Sequence, residues 1–135
     1  MKRLGRVEEM KDWINCRSER ALYYTGGDKR WFKDGTEWQR LIGPEDSEDL
    51  VFGIAKLKPG DIHLLHHHSD AAELYYVLEG KGKFTVDDEV FDGYPGTGIY
   101  MPAGAKHKIE NDGHHVLVFF FSFNRPRYTT VLDEL

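Results

Sequence analysis

The sequence predicts an all-β fold, and three observations carry that prediction. Fourteen glycines and five prolines punctuate 135 residues, a density of turn formers that suits many short strands. Between them the apolar runs are short, and several alternate with polar residues at period two. The length suffices to bury one core, and no repeat, low-complexity stretch or linker interrupts it, so a single domain over 1–135 is expected.

In chain order, Val7, Met10, Trp13 and Ile14 recur at spacings of three and four. They predict a short helix, or an extended piece, within an N-terminal arm of residues 1–20. ALYYT at 21–25 reads as a short strand, and GGDKRWFKDG at 26–35 as a turn-rich loop with Trp31 and Phe32 tucked down. TEWQRLI at 36–42 alternates, with Trp38, Arg40 and Ile42 on one face, and the acidic GPEDSED is a solvated loop. LVFGIAKLK at 50–58 is a strand that Pro59-Gly60 turns, and barrel strands are expected from there to residue 124. Phe84 and Val86 alternate with Lys83, Thr85 and Asp87, a half-buried strand; Asp87-Asp88 then makes a hairpin turn into EVF. HVLVFFFSF at 115–123 is apolar on both faces, unlike a strand with water on one side. Its outer face needs a cover, either the N-terminal segment or a second copy of the chain, and a homodimer is the expected assembly. An extended piece near Tyr128 to Leu132 ends the chain.

Composition excludes several functions. A net charge of -5 and a pI of about 5.8, with no basic patch interleaved with aromatics, argue against nucleic acid as a partner. No run of 18 apolar residues spans a membrane, and the N-terminus shows no secretory h-region. The single cysteine, Cys16, forms no internal disulfide and reads as an inert thiol. It fits a reducing compartment, so a cytoplasmic protein is expected.

The chemistry is concentrated in two stretches. In GDIHLLHHHSDAAELYYVLEG, residues 60–80, an extended strand puts His66 and His68 on one face and His63 and His67 on the other. Glu73 follows a short polar turn. Two imidazoles and a carboxylate converging on one face make a transition-metal site. In GTGIYMPAGAKHKIEN, residues 96–111, a tight turn leads into a strand where His107, Ile109 and Asn111 share a face and Lys106, Lys108 and Glu110 share the other. His107 is thus an inward imidazole available as a fourth ligand. His114 and His115 fall in a solvated turn.

These stretches resemble the two motifs of the cupin superfamily. Gly60, His66, His68, Glu73 and Gly80 stand at the fixed positions of the first, and Gly96, Pro102, Gly104, His107 and Asn111 at those of the second. The resemblance implies an antiparallel jelly-roll β-barrel (a double-stranded β-helix). It also implies a metal held by His66, His68, Glu73 and His107. Three nitrogens and one oxygen admit Fe, Mn, Zn, Ni or Co, one divalent ion per chain. A six-coordinate ion would keep two positions for substrate or water; a closed tetrahedral site would only stiffen the barrel.

The expected function is therefore a metal-dependent enzyme of oxygenase, isomerase or lyase type acting on a small polar metabolite. A non-catalytic binder or sensor is the alternative. Tyr75 shares parity with Glu73, as cavity filling or as a group that binds substrate and moves a proton. Arg40 pairs with a substrate carboxylate if its face is inward, and is an ordinary surface arginine otherwise. Phe119 and Phe121 line the cavity against substrate. A narrower resemblance, to small cupin lyases that cleave dimethylsulfoniopropionate, rests on Glu73 and Tyr75; the late-strand tyrosine of those enzymes has no counterpart in VFFF.

Overall fold

The computed structural model describes residues 28–31 and 34–134, which form two facing antiparallel sheets. In chain order the strands are β1 (Asp28–Trp31), β2 (Glu37–Ile42), β3 (Val51–Leu57), β4 (Ile62–His67), β5 (Glu73–Glu79) and β6 (Gly82–Val86). They continue with β7 (Glu89–Gly93), β8 (Gly98–Met101), β9 (His107–Glu110), β10 (Leu117–Phe123) and β11 (Val131–Leu132). The larger sheet runs β1-β2-β3-β10-β5-β8 and the smaller β11-β4-β9-β6-β7. From β3 to β6 each strand lies in the sheet opposite its predecessor, the winding of a jelly roll. No helix among the described residues is long and apolar enough to cross a membrane.

One expectation changes. Residues 28–31 form a strand, not a loop, because β1 pairs along β2 from Asp28 opposite Arg40 to Trp31 opposite Glu37. The N-terminal helix, the strand at 21–25, Cys16 and Phe32 lie outside the described residues.

Period-two patterning builds the core. β3 and β10 alternate buried and half-buried residues along their whole length, and β5 buries Glu73, Tyr75 and Val77 while exposing Leu74, Tyr76 and Leu78. The inward set of Leu57, Val77, Phe84, Ile109, Leu117 and Phe119 is at most 1% exposed. Each such side chain stabilises the fold by roughly 1.5–3 kcal/mol. Outside β10, Phe120 packs on Phe52 with ring centroids 5.6 Å apart. Tyr76 is 47% exposed on this outer face.

Turns then hold the sheets in register. Gly80 sits at φ +75°, and a Cβ there would lie 2.4 Å from the Val116 carbonyl oxygen, so the turn after β5 admits only glycine. Asn111 is buried; its amide donates to the carbonyls of Leu57 and His115, and its oxygen accepts from the Gly113 amide.

Candidate metal centre

The two sheets bring the motif residues together. His66 on β4 and His107 on β9 are cross-strand partners in the smaller sheet. Glu73 opens β5 in the larger sheet, between Phe123 and Met101. His68 lies just beyond β4, where its carbonyl accepts from the Gly104 amide and ties the two motifs to each other. One ligand atom from each of His66, His68, Glu73 and His107 lies within 4.8 Å of the others, and all four residues are buried.

Tautomers decide what this cluster can hold. Nδ1 of His66 donates to the Leu64 carbonyl at 2.7 Å, and Nδ1 of His107 to the Ala105 carbonyl at 2.9 Å. A carbonyl only accepts, so both Nδ1 atoms carry hydrogen. Nδ1 of His68 faces the Thr129 carbonyl at 3.3 Å and Thr130 Oγ1 at 3.1 Å. The three Nε2 atoms are thereby aimed at the centre, as metal-bound imidazoles are oriented. His107 Nε2 lies 3.0 Å from Glu73 Oε1, which requires a cation between the two lone pairs, either a second ring proton or a metal ion. His68 Nε2 is 3.3 Å from the same oxygen, near enough for an ion pair but off the angle of a hydrogen bond, and is a buried nitrogen with no hydrogen-bond partner. Ligands about 2.1 Å from one ion lie about 3 Å apart when adjacent and about 4.2 Å apart when opposite. The separations of 3.0 and 3.3 Å from Glu73 Oε1 to the His107 and His68 rings match adjacent ligands.

The charge states agree with the geometry. Burial, then the charges of His107 and His63, push the His66 ring down to about 2, so it is neutral and able to ligate. Burial alone would raise the Glu73 carboxyl, but hydrogen bonding to His107 and the nearby His68 ring hold it at about 2. His66 and Glu73 therefore present a neutral imidazole and a carboxylate, donor types that suit a divalent transition metal.

A cavity of about 440 Å³ opens onto this cluster. Tyr75, Phe119, Phe121, Phe123, Trp38 and Arg40 line it. Burial first, then the Glu73 charge, raises the Tyr75 phenol well above its usual value, so it is a proton donor at neutral pH. Arg40 lines the cavity, its side chain 17% exposed and in contact with Glu45 at 3.3 Å. His114 and His115 are exposed.

Three features lay beyond the reading of the sequence. His63, expected on the opposite face from His66, is buried and lines the cavity, its ring 4.4 Å from that of His66. A bulge between His63 and His66 breaks the alternation in β4. Nδ1 of His63 meets Asp34 Oδ2 at 2.8 Å. Asp34 also accepts the amides of Thr36 and Leu64. The C-terminal segment returns over the cavity: Tyr128 stacks on Phe123 at 3.8 Å and stands edge-on to His68 at 5.3 Å. Burial, and secondarily Glu73, raise its phenol to about 12 against the opposing pull of Arg40. Finally, Thr36 Oγ1 on the cavity wall is buried with no hydrogen-bond partner among the described residues.

Fold and site together define a cupin. Residues 53–123 match the cupin domain family, and the chain belongs to it. It is 38% identical over 84 residues to the uncharacterized protein MJ1618 of Methanocaldococcus jannaschii, covering 61% of this chain and 67% of that one. It is 35% identical over 89 residues to an oxalate-binding protein of Thermotoga maritima, covering 64% and 74%. It is also 35% identical over 72 residues to dimethylsulfoniopropionate lyase DddW of Ruegeria pomeroyi, covering 52% of this chain but 47% of the lyase. Among solved structures, an oxalate decarboxylase–formate complex from Lactobacillus farciminis superposes with a TM-score of 0.70 at 23% identity, over 78% of this chain and 33% of that one. That likeness is one of fold.

Proposed function

We propose that the protein is a metal-dependent cupin enzyme of oxygenase, isomerase or lyase type, acting on a small metabolite with one divalent ion per chain. The observation that carries the reading is the unpartnered, buried His68 Nε2 within a His-His-Glu-His cluster that faces an open cavity. A closed, purely structural site would not be built at the floor of 440 Å³ of reachable space. His66, His68, Glu73 and His107 would hold the ion, which when bound supplies Lewis-acid polarisation or oxygen activation. Tyr75, protonated and beside Glu73, donates to a bound oxygen atom of the substrate or passes it a proton. The Phe119 and Phe121 walls exclude water from that exchange. Elemental analysis of untagged protein, followed by an oxygen-consumption and product screen with Fe(II), tests this. Stoichiometric metal without turnover of any oxidisable or isomerisable metabolite would favour a binder.

Likeness to DddW favours one narrower version. VFFF lacks a tyrosine, but Tyr128 of the C-terminal segment lines the same cavity. Release of acrylate from dimethylsulfoniopropionate, abolished in Tyr128→Phe with metal retained, would establish lyase activity; no acrylate at any metal would exclude it.

A homodimer belongs to the same proposal. Leu74, Tyr76, Leu78 and Tyr100 are 43–64% exposed on the outer face of the larger sheet, beside Phe120. Soluble monomers rarely show such a patch, and two-fold pairing lets it cover itself. Sedimentation equilibrium should give twice 15.7 kDa; the mass of one chain at micromolar concentration would refute the pairing.

A further inference from the structure

The cavity has a second pole far from the metal ligands. One line of paired residues across the larger sheet runs Arg40, Gly53, Phe121, Tyr75. Three strand spacings, about 14 Å, separate the backbones at its ends. Tyr75 stands beside the metal ligand Glu73, whereas Arg40 stands at the other end of that line with its guanidinium carbon 5.9 Å from the centre of the Trp38 ring. The floor between them is apolar and shaped. A side chain at Gly53 would meet the Gln39 carbonyl oxygen at 2.2 Å and the Phe121 ring at 2.9 Å, so glycine leaves that ring free to lie across the middle. Phe121 in turn meets Trp38 edge-on, with centroids 6.0 Å apart. The stacked Phe123–Tyr128 pair forms the flank.

Charge is distributed in the same two-ended way. Glu73 is the carboxylate lining the cavity, and Arg40, which also lines it, stands at the far end of the paired line from Tyr75. Arg40 contacts Glu45 at 3.3 and 3.4 Å, a pair whose carboxylate is 56% exposed. A solvated pair of this kind contributes at most about 1 kcal/mol, so a carboxylate presented in bidentate geometry inside the cavity competes with it readily.

We infer that the ligand is an elongated organic acid: a metal-binding group at one end, a flat apolar middle over Phe121, and a carboxylate on Arg40 at the other end. The inference rests on the proposed metal site for one end only. It makes Arg40 the residue that selects for length and terminal charge, and it disfavours a compact dianion such as oxalate, which cannot reach both poles.

Calorimetric titration of full-length, Mn(II)-loaded protein with terephthalate, benzoate and oxalate tests it. Terephthalate spans the cavity with two carboxylates, benzoate has the same body with one, and oxalate has no body. Terephthalate is expected to bind about ten-fold or more tightly than benzoate, the contribution of one charge-assisted bidentate contact. Arg40→Gln should erase that difference, and Arg40→Lys should restore part of it. A preference that survives in Arg40→Gln, or oxalate binding more tightly than terephthalate, overturns the inference. Metal content measured on the same samples separates the two readings. Stoichiometric metal with an Arg40-independent preference sinks the second pole alone. An Arg40-dependent preference in protein that takes up no metal upholds that pole and sinks the metal site.

Discussion

Replacing His68 by alanine should change the protein very differently with and without metal. In the metal-free protein the substitution removes hydrogen bonding of Nδ1 to Thr129 and Thr130, about 1 kcal/mol. It also removes ring packing against Phe123 at 4.8 Å and Tyr128 at 5.3 Å. Against this, it deletes a buried nitrogen with no hydrogen-bond partner, whose burial costs about 1–3 kcal/mol. The two effects nearly offset, and metal-free His68→Ala should melt within a few degrees of the wild type. With metal the balance changes. An ion present at 100 times its dissociation constant stabilises the folded wild type by about 2.7 kcal/mol. For a chain of this size that raises Tm by roughly 10 °C. The variant, with three donors in place of four, should show almost none of that rise and should lose bound metal on dialysis. Scanning calorimetry with and without Mn(II) or Zn(II), paired with elemental analysis, reads both quantities. A variant that keeps its metal-to-protein ratio and the full rise in Tm would show that His68 is not a ligand. A metal-free variant that fails to fold would show the ring to be structural.

Three other outcomes follow from the same geometry. Tyr75→Phe should leave metal content unchanged while lowering turnover about 100-fold or more, the usual contribution of a positioned proton donor, as steady-state kinetics on an identified substrate would show. Burial alone would raise the Asp34 carboxyl, but hydrogen bonding to His63 and two backbone amides holds it well below the ordinary carboxylate range. Its contribution to stability is thus present above the unfolded-state value of about 4 and lost as pH falls below it; Asp34→Asn should lower stability at pH 7 and flatten the acid limb in urea unfolding between pH 7 and 3. Deleting residues 128–135 removes both partners of His68 Nδ1 and should weaken metal binding about 10–100-fold, measured by competition with a chelator.

The clustering of His66, His68, Glu73 and His107 was legible because it obeys parity. His66 and His68 are two apart, Glu73 begins a strand whose inward positions are 73, 75 and 77, and His107 alternates with outward lysines. A regular strand transmits such a pattern from sequence to face without outside information. The apolar run at 117–123 was legible for the same reason, its inward phenylalanines being 119, 121 and 123.

Where the backbone leaves the regular strand, parity fails. His63 and His66 are three apart and both point inward, which only the bulge in β4 allows. No residue between them signals it, since Leu64 and Leu65 suit either face. β1 was hidden because its four residues, DKRW, carry no alternating apolar pattern and are held by backbone pairing to β2. Tyr128 was hidden by distance. It reaches His68 because Thr129 and Asp70 hydrogen-bond through both amide and hydroxyl, Asp133 takes His67 Nδ1, and Val131 pairs with His67. Each contact joins residues about sixty positions apart, and none leaves a local periodicity to read. Those irregular pieces nevertheless shape the cavity. The bulge adds an imidazole beside the metal ligands, and the returning segment adds a phenol and the hydrogen-bond partners of His68. The regular strands therefore specify the His66, His68, Glu73 and His107 cluster, while the bulge, the C-terminal segment and Arg40 complete the lining of the cavity in front of it.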